Sequence, residues 1–414
     1  MFAHRTIFAI ALVIASILIA GCITQPATEA PSTATPAPAA SPVENMTIPF
    51  APIPVSSQEG ANIAYELELV PAGSEVLRPV KVEVLDTGTG ALLFRMEGDA
   101  LTALYHPASV PPPTAEDLWN GTSKLVNPRI SIWFVMPRDA VPDRLVHRVT
   151  LDRSAAGRDP LTVEGGAVAV RKDEGPVVIG LPVQGPGWTA METTSPNTHH
   201  FDAQITLGGV TRVPQRYAQD WVYIDPETRQ VASGNASLAK NYFGYGKGIY
   251  AVSDGTIVDV LDGLPDVETI YSPRNVTIAT APGNYVIQDI GGGRYACYAH
   301  MVPGSVQVRA GDAVKEGQLL GRMGNSGNSD LPHLHFQVVT GAPMFLGGEG
   351  YPHVYRSFEV IGKVNETRIM EIATRPGITM EELWGDTSAF STIFDDPVPG
   401  EKMLPSNWDI IRSG

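Results

Sequence analysis

The chain has 414 residues, of which 43% are hydrophobic and 18% charged, enough for a sizeable core divided over two or three domains. Its formal net charge is −15 at pH 7, and no local cluster of lysine and arginine offsets that charge. Such a chain repels polyanions, which argues against nucleic acid as a partner. The 41 glycines and 35 prolines, together with few helical periodicities, favour an all-β chain with many turns.

The N-terminus has the pattern of an export signal. A basic start is followed by an apolar run over residues 7–20, which is shorter than the roughly 20 residues that a membrane-spanning helix needs. The run ends in Ile-Ala-Gly-Cys22, which resembles a lipoprotein processing box. We therefore expect residues 1–22 to be a signal peptide, Cys22 to be lipidated, and the protein to be held on the outer face of the cell membrane by this anchor. An ordinary signal peptide that happens to contain cysteine is the alternative.

Two further regions precede the part of the chain that contains the candidate site residues. Residues 23–57 begin with a stretch rich in Thr, Pro, Ala and Ser, which predicts an extended tether. Residues 58–165 contain short runs of alternating apolar and polar residues between Gly, Pro and Asp turns, as at Val80, Val82 and Val84. They predict a small immunoglobulin-like β-sandwich with a spacer or binding role.

From residue 166 onward the strand-like runs continue and histidines become frequent. The segment Pro-His333-Leu-His335-Phe places two imidazoles on one face of a strand, where a shared metal is the natural use for both. If His300 faces this pair, the period of two places Tyr298 on the same face and turns Cys297 away into packing. A cysteine nucleophile paired with histidine is then disfavoured.

A zinc site needs further donors, and carboxylate or imidazole groups suit it. Asp220 lies among apolar and aromatic residues on a strand-like run, where a metal would compensate its buried charge, although an ordinary surface aspartate is the simpler interpretation of this segment alone. His199 and His200 precede it by about twenty residues and each offers an imidazole.

Residues 185–345 resemble the lysostaphin-like metalloendopeptidases, which cut the peptide cross-bridges of peptidoglycan. The resemblance rests on four segments: QRYAQDW (215–221), YGKGIYAVSDGTIVDVLDG (245–263), GNYVIQDIGGGRYACYAH (283–300) and GDAVKEGQLLGRMGNSGNSDLPHLHF (311–336). It implies an all-β peptidase domain over residues 166–414 with a lipoyl-like hybrid motif, and a single Zn²⁺ as cofactor. Residues 363–400 are expected to be an excursion from this domain.

Position by position, the resemblance implies Asp220 and His335 as zinc ligands and His300 and His333 as catalytic histidines. The commonest family pattern has a histidine four residues before the aspartate, where this chain has Arg216. The third ligand is therefore expected from an upstream loop, with His200 preferred and His199 as the alternative.

The implied activity is hydrolysis of peptide bonds, in cell-wall cross-bridges or in other surface peptides, by a zinc-bound water that the two catalytic histidines assist. Either histidine can be the base that accepts the proton of this water, with the other stabilising the oxyanion. The alternative is a catalytically silent peptidase fold that serves as a scaffold or binding lipoprotein at the cell surface.

Overall fold

The computed structural model describes residues 41–109, 126–207 and 210–413. Strands dominate these residues, which confirms the expected all-β class. The predicted signal peptide, Cys22 and residues 23–40 of the predicted tether lie outside the described residues. Within the described ranges, no helix is long and apolar enough to cross a membrane.

In the N-terminal part, residues 41–109 and 126–169 are described, and they contain nine strands and one α-helix. The strands are β1 (Val43–Thr47), β2 (Val55–Ser57), β3 (Gly60–Pro71), β4 (Pro79–Asp86), β5 (Leu92–Glu97), β6 (Tyr105–His106), β7 (Arg129–Met136), β8 (Arg144–Leu151) and β9 (Leu161–Ala169), and the helix is α1 (Gly98–Leu104). One sheet has the order β1-β3-β7-β6, with β2 paired to β3, and the other has the order β5-β4-β8-β9.

The two N-terminal sheets enclose one hydrophobic core, to which Leu67, Leu145 and Val149 contribute. The expected alternation along β4 holds only in part, because Val82 and Val84 are fully buried whereas Val80 is 45% exposed. An immunoglobulin-like order of connections stays a prediction.

The predicted tether extends too far toward the C-terminus. β1 and β2 both pair antiparallel with β3, so residues 43–57 contain strands where an extended linker was expected. Met46 lies opposite Leu69 and is buried in the core of the sandwich, which explains why this part of the segment is ordered. The expected boundary at 165/166 likewise falls inside β9.

The remaining strands form mainly one large sheet. They are β10 (Val177–Ile179), β11 (Pro186–Met191), β12 (Ile205–Leu207), β13 (Val210–Arg212), β14 (Gln219–Tyr223), β15 (Gly248–Tyr250), β16 (Gly255–Leu261), β17 (Asn284–Asp289), β18 (Arg294–Met301), β19 (Ala313–Val314), β20 (Leu319–Arg322), β21 (Leu334–Thr340), β22 (Glu349–Gly350), β23 (His353–Val364), β24 (Ser391–Met403) and β25 (Asp409–Arg412). Twelve of them form a sheet with the order β10-β23-β25-β11-β14-β21-β18-β17-β16-β19, to which β22 and β24 add at β21 and β23.

The segment between β23 and β24 contains two α-helices, α2 (Glu366–Ala373) and α3 (Met380–Trp384). Asn365 caps α2 by accepting a hydrogen bond from the Arg368 backbone, and Thr379 and Glu382 form a capping box on α3. Both helices pack their apolar side chains into a separate cluster with Ile410 of β25.

The middle of the large sheet positions the histidines. β14 and β21 are antiparallel neighbours, with Asp220 opposite His335 and Trp221 opposite Leu334. Trp221 and Leu334 point into the main core, so the period of two turns Asp220 and His335 to the other face. Sequence alternation and strand register thus bring two of the expected ligands side by side, although they are 115 residues apart in sequence.

Candidate metal centre

Asp220 is the point on which the histidines converge. Its Oδ1 atom lies 3.0 Å from His335 Nδ1, 3.5 Å from His200 Nε2 and 3.5 Å from His333 Nε2. All three imidazoles are buried, and the Asp220 side chain is 14% exposed. The structure thus brings together the three ligands expected from sequence and one of the expected catalytic histidines.

In His200 and His333, the ring nitrogen that faces away from Asp220 makes a hydrogen bond that fixes the orientation of the ring. His200 Nδ1 lies 3.0 Å from the Glu192 carbonyl oxygen, and His333 Nδ1 lies 2.8 Å from that of Leu331. Because a carbonyl oxygen only accepts, both Nδ1 atoms carry the proton, and in the neutral ring each Nε2 atom presents a lone pair to Asp220.

His335 has the opposite tautomer for the same reason. Its Nε2 atom lies 2.8 Å from Gln337 Oε1, and the Gln337 amide nitrogen donates to the Phe345 carbonyl oxygen at 2.6 Å. This second bond orients the amide, so His335 Nε2 is the donor and the Nδ1 lone pair faces Asp220.

When all three rings are neutral, three nitrogen lone pairs therefore point at one carboxylate oxygen. Such an arrangement of acceptors is repulsive unless a cation lies among them, and each ring is held on its far side as metal-bound histidines are. Imidazole nitrogen and carboxylate oxygen are donors that zinc takes, and three protein ligands leave one position open. The residues at this site fit a zinc ion.

His300 closes the site from the end of β18. Its ring centroid lies 4.7 Å from that of His333 and 6.0 Å from that of His335, and one nitrogen of each of these three residues lies within 4.8 Å of the others. His300 Nδ1 lies 2.8 Å from the Ser326 carbonyl oxygen, so its Nε2 atom is directed away from that bond.

The predicted face for Cys297 is wrong. Cys297 lies opposite Gln337 in the β18–β21 pair, which puts it on the same face of the sheet as His335, while Tyr298 lies opposite Phe336 on the other face. His300 reaches the site because its φ of 63° interrupts the alternation of the strand. Cys297 is nevertheless enclosed by a small apolar cluster, and burial raises the pKa of its thiol, so a role as nucleophile stays disfavoured.

Burial and charge act on this cluster in opposite directions. Burial raises the pKa of the Asp220 carboxyl, but the contacts with His200, His333 and His335 together lower it by more, and its net pKa lies well below the usual value. Burial holds the pKa values of His200 and His300 well below normal, so both are neutral at neutral pH. Burial also lowers the pKa of His333, but the charge of Asp220, the contacts with Asp220 and the Leu331 carbonyl, and the charge of Asp330 together outweigh burial, and the net pKa is raised.

The structure distinguishes between His199 and His200, the two candidates for the third ligand. His200 is buried and faces Asp220, whereas His199 is exposed and its Nδ1 atom lies 3.1 Å from Glu192 Oε2. One potential ligand atom of each of His199, His200 and Asp220 lies within 4.8 Å of the other two, so His199 is also close to the centre. The direct 3.5 Å approach to Asp220 favours His200.

Sequence reasoning missed the residues that orient the rings. Gln337 follows His335 by two positions on the same strand, and this spacing could have indicated it. Ser329, whose Oγ atom lies 3.1 Å from His333 Nδ1, is in an irregular segment with no comparable pattern. His106 and His147 lie in the N-terminal part, where buried His147 contacts Tyr65 and His106 contacts Asp202.

Comparison with known proteins places a family domain around part of this site. Residues 241–345 match Peptidase family M23. The match includes His300, His333 and His335, while His200 and Asp220 precede it. Residues 241–345 of the chain therefore form a segment that is similar to Peptidase family M23.

Similar solved structures include the catalytic domain of the prophage-encoded M23 protein EnpA from Enterococcus faecalis, with 25% identity over 26% of this chain and 66% of that chain and a TM-score of 0.19. The catalytic domain of lysostaphin from Staphylococcus simulans has 23% identity over 29% of this chain and 84% of that one, with a TM-score of 0.20. A SpoIIQ–SpoIIIAH complex has 17% identity over 42% and 89%, with a TM-score of 0.26. All three TM-scores are low, so the domain assignment depends on the match at 241–345.

Proposed function

We propose that this protein is a zinc-dependent endopeptidase that hydrolyses peptide bonds in cell-wall cross-bridges or other surface peptides. The observation that carries the proposal is the convergence of ring nitrogens of His200, His333 and His335 on Asp220 Oδ1. The M23 domain at 241–345 supports the same class of activity.

His200, Asp220 and His335 would hold the zinc ion. When bound, zinc polarises the scissile carbonyl and lowers the pKa of a water molecule toward about 7. Gln337 and the Glu192 carbonyl keep the two ligand imidazoles in their binding tautomers. Asp220 supplies the negative charge that a buried cation requires.

His333 and His300 would move protons and stabilise charge at the substrate. Both have Nδ1–H fixed on a backbone carbonyl, so each neutral ring presents Nε2 as a proton acceptor. The ring that takes the proton from the attacking water becomes a donor, able to deliver a proton to the leaving amine. The other ring, when protonated, can donate a hydrogen bond to the oxyanion, a contact whose loss costs about 3–4 kcal/mol.

The test is zinc content by elemental mass spectrometry of the full chain, with His200→Ala beside His199→Ala as a matched control. We expect about one zinc per chain in the wild type and in His199→Ala, and most of it lost in His200→Ala. Cleavage is then measured by mass spectrometry on peptidoglycan fragments, glycine-containing bridge peptides and unrelated surface peptides. Absence of zinc after incubation with excess metal, or absence of cleavage in a zinc-loaded protein, would favour the silent scaffold.

We also propose that Cys22 is lipidated and holds the protein at the outer face of the cell membrane. The apolar run before Cys22 and the Ile-Ala-Gly-Cys sequence support this. Partitioning of wild type and Cys22→Ala between membrane and soluble fractions tests it, because the variant should lose the membrane association. Equal partitioning of both, or an unmodified Cys22 in the peptide mass spectrum, would contradict the anchor.

A further inference from the structure

The segment that carries His200 packs against the N-terminal sandwich. Phe201 is fully buried in the main core cluster, which also contains Trp133 of β7. The two rings meet edge-on, with centroids 5.1 Å apart and an interplanar angle of 89°. Trp133 Nε1 donates to Asn62 Oδ1 at 3.1 Å, which fixes the indole from within the sandwich.

Polar groups of the sandwich hold Asp202, two residues after His200. Ser131 Oγ donates to Asp202 Oδ1 at 3.0 Å, and His106 Nε2 lies 2.6 Å from the same oxygen. Ser131 belongs to β7 and His106 to β6, so two neighbouring strands of one sheet bind this carboxylate.

A third contact reaches the chain that leads into β14. The Arg216 guanidinium is buried between Glu66 of β3 and Glu349 of β22, with Arg216 Nη2 donating to Glu66 Oε2 at 2.6 Å. Asp220 follows four residues later. Two of the proposed zinc ligands thus lie close in sequence to residues that the sandwich binds.

We propose that the N-terminal sandwich is a structural part of the metal centre, in which His106, Ser131 and Trp133 are positioning residues that hold His200 through Asp202 and Phe201. The inference rests on the proposed function, because it takes His200 to be a zinc ligand. The residues between β11 and β12, which carry His200, have no strand or helix of their own. Ordering such a segment costs about 1–2 kcal/mol per residue, and the sandwich contacts provide this order before zinc binds.

The experiment measures zinc dissociation constants of the full chain in detergent by competition with a chelator. The test variant is His106→Ala/Ser131→Ala. The matched control is Arg148→Ala/Thr150→Ala, which removes an exposed ion pair and an exposed hydroxyl contact from β8 in the other sheet. We expect the dissociation constant to rise about 10-fold or more in the test variant and to stay within about twofold in the control.

The same pair of substitutions is then made in His200→Ala. There it should change zinc affinity by less than about twofold, because the ligand that it positions is already missing. Equal effects in both backgrounds would overturn the inference by showing a general loss of structure. Melting curves with excess chelator verify folding, and if the double variant does not melt cooperatively, Ser131→Ala alone replaces it, with an expected weakening of about fivefold.

Failure of this inference and failure of the proposed function give different results. A wild type that binds no zinc would overturn the proposed function. A wild type that binds zinc, together with a test variant of unchanged affinity, would overturn only the role of the sandwich.

Discussion

Replacing Gln337 by methionine should weaken zinc binding while leaving every proposed ligand in place. The Gln337 amide accepts from His335 Nε2 at 2.8 Å and donates to the Phe345 carbonyl at 2.6 Å. Methionine has a similar shape and offers neither group. His335 can then carry its proton on Nδ1, 3.0 Å from Asp220 Oδ1, where the proton occupies the lone pair that zinc needs.

The magnitude follows from the bonds exchanged. A hydrogen bond from Nδ1 to the Asp220 carboxylate is worth about 1.5–3 kcal/mol, and zinc has to displace it. With about 1.4 kcal/mol for each factor of ten, the dissociation constant should rise about 10- to 100-fold. Chelator competition at neutral pH measures this rise.

Gln337→Glu is the informative partner of this variant. A carboxylate still accepts from His335 Nε2, so zinc affinity should be retained. The same carboxylate faces the Phe345 carbonyl oxygen without a proton between them, so the free energy of unfolding should fall by about 1–3 kcal/mol in urea titrations with chelator. Wild-type zinc affinity in Gln337→Met would refute the argument that Gln337 controls the tautomer of His335.

Three further predictions concern activity, packing and pH. His300→Ala and His333→Ala should each lower peptide cleavage by about 100-fold or more and retain zinc near one per chain; full activity in either would contradict its assignment. Glu66→Ala should reduce the free energy of unfolding in urea by about 3 kcal/mol because it removes one partner of buried Arg216, and a loss below about 1 kcal/mol, the size for an exposed pair, would contradict this. Burial lowers the pKa of His147 from 6.5 to about 4, so its contribution to stability is present above pH 6.5 and is lost, by about 3 kcal/mol, as the pH falls through this window. His147→Gln should flatten that part of a stability–pH curve, and an unchanged slope would count against this origin.

The sequence predicts best the features that depend on the period of two. Alternation puts Leu334 in the core, and the structure agrees, with His335 on the opposite face. The same rule fails at Cys297, because the left-handed backbone at His300 interrupts the alternation of the strand. No local sequence pattern predicts this backbone conformation. A single positive φ is thus enough to reverse a face assignment that is otherwise well founded.

Strand pairing between distant parts of the chain is the second feature that the sequence does not predict. β1 and β2 were expected to belong to a tether because their neighbourhood is rich in Pro, Thr and Ala, yet they are fixed by pairing with β3 and by burial of Val43 and Met46. Their order depends on partners elsewhere in the chain, which composition does not describe. Gln337 was missed for a related reason, since its role depends on the distant Phe345 carbonyl as well as on its spacing from His335.

The departure at Arg216 and the position of His200 are two parts of one arrangement. The resemblance implies a histidine four residues before Asp220, and in this chain Arg216 at that position pairs with Glu66 of the sandwich and with Glu349. In the proposed centre, His200 provides the imidazole that Asp220 then lacks, and its neighbours Phe201 and Asp202 contact the same sandwich. In the proposed centre, the position that would supply a ligand instead contacts the sandwich through Arg216, and His200 would be placed by the separate contacts of Phe201 and Asp202 with the same sandwich. Restoring the family pattern with Arg216→His should therefore not improve the centre, because it removes the partner of two buried carboxylates while His200 already faces Asp220.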